Sequence, residues 1–142
     1  MPRQDVQAFL ERPLTAHLAT VGPNVRPVWF LWEDGAFWVI SGPWSKASGE
    51  IQRDPHVILS VDVCNLYTGE TKQISARGEA ELLPWDQQRA WRLLRRYLGD
   101  DANGWDDRFR AYMRGGPGCV WIRLEAQEPR LNDLSFVPSD RT

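Results

Sequence analysis

Cysteine and histidine are scarce in this 142-residue chain, with two of each. Cys64 and Cys119 stand alone on expected strands, outside any paired motif, so they read as core thiols rather than as a disulfide or metal ligands. His17 and His56 are equally isolated, and without a cluster of His, Cys and carboxylate at ligand spacing no metal site is expected. A basic excess is also missing. Lysine and arginine number 17 against 19 acidic residues, a net charge of −2, which removes the electrostatic footprint of nucleic-acid binding while leaving room for a local basic patch. No apolar run approaches the roughly 20 residues of a membrane span, and no basic-apolar-small leader opens the chain, so a soluble cytoplasmic protein without membrane partners is expected. Repeats, low-complexity segments and linkers are absent as well, which leaves one domain over residues 1–142.

What is abundant is tryptophan, with eight residues. Such rings bury large areas and are common where flat ligands or partner chains dock. Hydrophobic residues at 42% and charged residues at 25% give an ordinary globular composition. The chain reads as strands separated by turn signals: a short helix over Gln4 to Glu11, then strands over Leu14 to Val21, Val25 to Glu33, Ala36 to Ser41, His56 to Cys64, Lys72 to Leu83 and Cys119 to Leu124. Asp34-Gly35 is a strong hairpin signal. A short helix is expected over Ser45 to Arg53 with Ser45 as its cap, and an amphipathic helix after Pro84, where Ala90, Trp91, Leu94, Tyr97 and Leu98 recur at helical spacing until Gly99. Another short helix runs about Asp106 to Met113, ending at Gly115-Gly116. The fold class is mainly β, a six-stranded antiparallel barrel with peripheral helices, since a twisted sheet of this size avoids bare edges by curling on itself.

Two stretches depart from this plain pattern. Val28, Trp29, Phe30, Leu31 and Trp32 put apolar side chains on both faces of one strand, so both faces need cover. One face can fill the barrel; for the other a partner subunit is the economical cover, with the long helix as the alternative. The turn Ser41-Gly42-Pro43-Trp44-Ser45-Lys46 sets a glycine, hydroxyls and an ammonium side by side at a strand end, parts that suit a phosphate monoester, although a surface lysine beside an ordinary cap has the same look.

From about Leu14 to Leu83 the order of elements resembles the pyridoxamine 5′-phosphate oxidase-like superfamily of flavin-binding split barrels. Arg26-Pro27-Val28-Trp29-Phe30-Leu31 is similar to the family's cofactor segment, Ser41-Gly42 and Ser45-Lys46 to its third-strand end and following lysine, Asp54-Pro55 to the pair that ends its helix, and Gln73 with Gly78-Glu79-Ala80-Glu81 to its later strand and turn. The resemblance implies a homodimeric split barrel with two sites at the interface. It implies that Arg26 and Lys46 pair with a cofactor phosphate, that Ser41 and Ser45 add hydroxyls, and that the backbone at Val28 and Trp29 lines the ring edge. Gln73 would meet the polar rim of the ring, Trp44 from the same or the other chain would form a wall for it, and Pro27 and Gly42 complete the implied cofactor-binding set. The implied chemistry is hydride transfer by the cofactor's own ring, so no catalytic side chain is assigned, and Asp34 and Asp62 read as solvated carboxylates.

Three departures qualify the likeness. True pyridoxamine phosphate oxidases carry a lysine where this chain has Leu31, and their C-terminal Trp-Arg-Leu block is missing; an apolar side chain cannot hold a substrate dianion, so vitamin B6 oxidation is not expected. The stretch from Lys46 to Pro55 is one residue longer than the family pattern. FMN is the expected cofactor, with the deazaflavin F420 as alternative; F420 has a long acidic tail, and Arg53 and Lys72 are the only nearby cations for it. A reading of another class is a non-catalytic protein that stores flavin or haem. The substrate is not legible, because it depends on how Trp29, Trp44, Trp105 and the tail from Gln127 fold over the ring; Leu131, Leu134 and Phe136 are that tail's candidate anchors.

Overall fold

The computed structural model describes residues 4–140. Helix α1 (Gln4–Leu10) leads into β1 (Ala16–Thr20), β2 (Asn24–Val28), β3 (Leu31–Glu33) and β4 (Ala36–Ser41). Helix α2 (Ala47–Arg53) precedes the long hairpin β5 (His56–Cys64) and β6 (Thr71–Glu79), which continues as β7 (Glu81–Pro84). Helices α3 (Gln87–Leu98) and α4 (Asp107–Arg114) flank a short 3₁₀ turn at Ala102–Gly104, and β8 (Val120–Glu125) and β9 (Asn132–Asp133) complete the order.

Among the described residues nine strands replace the six expected ones, because two of those break at corners and a short one is added in the tail. The expected strand Val25 to Glu33 divides at Trp29-Phe30, and Lys72 to Leu83 divides at Ala80. At both corners the chain leaves a five-stranded antiparallel sheet, ordered β2-β1-β5-β6-β9, and enters a four-stranded one, ordered β3-β4-β8-β7. The sheets face each other across one core, to which Leu18, Leu59, Val61 and Ile74 come from the first and Phe37, Val39, Ile122 and Leu124 from the second. β9 is the added ninth strand, and it pairs with β6 through Lys72 and Gln73.

The apolar run on the second expected strand has its explanation in a second core. Val28, Phe30 and Trp32 point into the space between the sheets. Trp29 and Leu31 point the other way, toward a layer formed by Ala90, Leu93 and Leu94 of α3 with Trp105 and Trp121. β4 alternates in the same manner, with Phe37 and Val39 inside and Ala36 and Trp38 under the helices. Cover for the aromatic strand therefore comes from α3 and α4 of the same chain, and a partner subunit is not required there. Asp86 caps α3 by accepting the Gln88 and Arg89 amides, and Gly99 ends it with a positive φ.

Tyr97 of α3 fixes the corner itself. Its hydroxyl donates to the Leu14 carbonyl at 2.7 Å and accepts the Phe30 amide at 3.1 Å, while its ring stacks on Trp29 at 4.5 Å.

Cys64 is exposed at the end of β5 and Cys119 is half-buried, so the expected core placement fails for Cys64, whose strand outruns the covered part of the sheet. In the tail Leu131 packs on the core, but Leu134 and Phe136 stay exposed; backbone bonds from Leu134 to Thr71 and from Phe136 to Gly69 hold the segment instead. Gly69 is obligatory in that contact, since a Cβ there would lie 1.7 Å from the Phe136 carbonyl oxygen.

Replacing Tyr97 with Phe leaves the Phe30 amide without its partner. We expect a loss of about 1–3 kcal/mol in urea unfolding, with a change in Trp29 fluorescence that a mutation remote from this corner would not produce.

Candidate functional site

A two-lobed cleft opens where the β2 edge, the end of β4, the loop before α2 and the helix layer meet. Its polar lobe, about 420 Å³, is lined by Asn24, Arg26, Ser45, Lys46 and Glu50. Its apolar lobe, about 180 Å³, is lined by Trp29, Val39, Leu93, Leu94, Phe109 and Tyr112. Pro27, Val28, Ile40 and Trp44 border both, so the lobes are continuous.

The aromatic wall is assembled from segments far apart in sequence. Trp29 stacks on Phe109 at 5.2 Å, Phe109 meets Tyr112 edge-on at 5.7 Å, and Tyr112 stacks on Trp44 at 4.7 Å. Trp44, half exposed, can lie over the backbone because residue 42 is glycine: a Cβ there would come within 2.2 Å of the indole. Offset stacking of this kind leaves flat faces on which a planar ligand can pack.

At the polar lobe the helix begins one residue later than expected. Lys46, not Ser45, sits at the N-cap position of α2, because the Ser45 amide closes a turn onto the Gly42 carbonyl at 3.0 Å. The Ser45 hydroxyl still accepts the Ala47 amide at 3.1 Å. The Lys46 ammonium is exposed and forms no ion pair among the described residues.

Arg26 has a different environment. One guanidinium nitrogen donates to Thr20 Oγ1 at 3.1 Å and the other to Glu50 Oε1. Glu50, only 7% exposed, also accepts from Thr20 Oγ1 at 3.1 Å and from Asn24 Nδ2 at 2.8 Å. Burial opposes ionisation of Glu50, but the hydrogen bonds from Thr20 and Arg26 and the charges of Arg26 and Arg53 outweigh it and hold the carboxyl below its usual range.

Of the residues singled out in the sequence, the fold gathers Arg26, Pro27, Val28, Trp29, Trp44, Ser45 and Lys46 around this cleft, with Gly42 beneath Trp44. Two lie elsewhere. The Ser41 hydroxyl is buried without a hydrogen-bond partner and lines neither lobe. Gln73 sits on the outer face of the five-stranded sheet, donating to Ser60 Oγ at 3.2 Å. Sequence reading missed Glu50, Asn24, Phe109 and Tyr112. Glu50 stands one helical turn beyond Lys46, a spacing that could have flagged it; nothing in the sequence ties Phe109 and Tyr112 to residue 44.

A larger groove of about 760 Å³ runs between α3 and α4, but its charged groups are already engaged: Asp86 caps α3 and Arg92 pairs with Glu33 at 2.8 Å. Among the described residues no group of His, Cys, Asp and Glu is arranged to hold a metal, and no helix is long and apolar enough to cross a membrane.

The family model for pyridoxamine 5′-phosphate oxidase matches residues 2–133. The chain belongs to the pyridoxamine 5′-phosphate oxidase family. Solved structures share the split-barrel fold: a conserved hypothetical protein from Mycobacterium tuberculosis is 22% identical over 94% of this chain and 85% of its own, with a TM-score of 0.71. An F420 reductase is 27% identical, covering 87% of this chain and 94% of its own at a TM-score of 0.61. A FAD-binding protein from Mesorhizobium loti is 18% identical, covering 91% and 90% at 0.65. No curated protein matches. Leu31, which the sequence resemblance sets in place of a substrate-binding lysine, is buried under α3.

Because its carboxyl is more acidic folded than unfolded, Glu50 stabilises the protein above its ordinary value of 4.5, and that contribution disappears as pH falls through the lowered folded value. Wild type and Glu50→Gln should therefore differ in urea midpoint at pH 7, and the difference should close in a titration below about pH 4.5.

Proposed function

We propose that this protein is an oxidoreductase of the pyridoxamine 5′-phosphate oxidase family that moves hydride through a phosphate-bearing flavin or deazaflavin seated in the two-lobed cleft. The observation that carries the reading is the continuity of a polar lobe holding Arg26 and Lys46 with an aromatic lobe walled by Trp29 and Trp44. That donor set fits such a ligand: a cationic end for phosphate, Gly42 flat beneath an indole, and apolar walls for a ring. The similar F420 reductase and FAD-binding protein lend support. When bound, a ring of this type supplies the hydride-accepting atom itself. The chain's own residues would hold and shield it: Lys46 against the phosphate, the Val28 and Trp29 backbone along the ring edge, and Trp44 as a movable wall. FMN and F420 are the two candidates. With Leu31 buried in place of a phosphate-binding lysine, oxidation of vitamin B6 is not proposed.

The proposed unit is a homodimer. Among the described residues the outer face of the five-stranded sheet has no cover: Val25 is 68% exposed, and in register with it run Ala19, Ile58 and Arg77, beside a second row of Pro27, His17, Ser60 and Ser75. Pro27 also borders the cleft, so a copy docked on this face would bring its Gln73 toward the other copy's ring site. The interface thus differs from the aromatic strand first considered.

Titration of the purified protein with FMN and with F420, followed by anaerobic reduction with NAD(P)H or by reduced F420, tests the reading. We expect saturable quenching of one of them and loss of its oxidised absorption band; a protein that binds neither ring, or runs as a monomer in ultracentrifugation, ends the proposal. Lys46→Ala should weaken binding about tenfold, as befits one charge-assisted contact.

A further inference from the structure

The polar lobe contains more than cations. Glu50 carries its charge into the lobe among three donors, Thr20, Asn24 and Arg26, and at 7% exposure it has no solvent into which to turn away. Arg26 is correspondingly committed: its two terminal nitrogens are directed to Thr20 and Glu50, and pulling them toward a ligand would leave a buried carboxylate short of its counter-charge. Of the two cations lining the lobe, Lys46 alone faces it uncompensated. Arg53 adds a positive field from the exposed end of α2 without lining the cleft, and neither His17 nor His56 borders it.

We propose that Glu50 is a specificity-determining residue that tunes the cleft for a ligand phosphate with one negative charge, a phosphodiester, over the doubly charged monoester. This rests on the cleft being the ring site proposed above. A phosphate beside Lys46 meets one free cation and, next to it, a closed Arg26–Glu50 pair whose charges offset each other. A single charge is matched by Lys46, whereas a second charge finds no free partner, because drawing Arg26 toward it would strip the buried Glu50 carboxylate of its counter-charge. Of the two candidate cofactors, FMN carries its phosphate as a monoester and F420 as a diester, so the lobe favours the latter.

The test holds the ring constant. Riboflavin, FMN and the methyl phosphodiester of FMN are titrated against the wild-type protein by flavin fluorescence at pH 8. The diester should bind about tenfold or more tightly than FMN, and FMN should gain on riboflavin as pH falls from 8 to 5.5, because the phosphate takes up its second proton near about pH 6. Glu50→Gln should bring diester and monoester to within about twofold of each other. If FMN binds wild type as tightly as the diester at pH 8, or if folded Glu50→Gln keeps the wild-type ratio, the inference is wrong while the ring site stands. Should the variant not fold, the wild-type ratio and pH series decide alone. Failure of all three flavins and of F420 to bind overturns the ring site, and this inference with it.

Discussion

The structure depends on burying one continuous aromatic stretch on both of its faces. Val28, Phe30 and Trp32 enter the space between two sheets, while Trp29 and Leu31 enter a second core beneath α3 and α4. A strand with only one core could not hold this sequence, since either alternate set would lie against water. The helices after Pro84 are therefore structural cover, and Tyr97 is the point at which that cover is pinned to the sheet corner.

The cleft follows from the same arrangement. At the β2–β3 corner the chain passes from one sheet to the other, and there the helix layer reaches the loop before α2 through Tyr112 stacked on Trp44. What remains between them is a groove that is apolar toward α3 and α4 and polar toward α2. Its electrical character is set less by the number of cations than by Glu50, which converts Arg26 from a free charge into half of a buried pair. The uncovered outer face of the five-stranded sheet adjoins this groove through Pro27, which is why dimerisation and ring binding belong to one functional proposal.

Much of the element order was legible. The hairpin signal at Asp34-Gly35 and the break at Pro55 placed β4 and β5 to the residue, and Pro84 and Gly99 bracketed α3. The corner at Trp29-Phe30 was not, because those residues carry no turn chemistry, and the one at Ala80 was marked only by the resemblance of Gly78-Glu79-Ala80-Glu81 to a family turn; the chain bends at both to follow the closing sheets, a demand that arises only after strands pair. The local parts of the site, Arg26 through Trp29 and Trp44 through Lys46, were readable because they are contiguous. Ser41 and Gln73 do not line the cleft of their own chain: the Ser41 hydroxyl is buried in the interior, and Gln73 faces outward on β6, with β1 and β5 between it and β2.

By itself the sequence determined which segments form strands and helices, the aromatic content that needs two-sided cover, and the short runs that carry cleft residues, because each of these follows from local turn signals, periodicity and side-chain chemistry. Tertiary structure alone decided that α3 and α4, rather than another subunit, cover the aromatic strand, that Tyr112 stands against Trp44, and that Arg26 is held by Glu50. Those outcomes join residues 24 to 80 positions apart, and no local pattern encodes a contact whose free energy exists only once both partners are brought together.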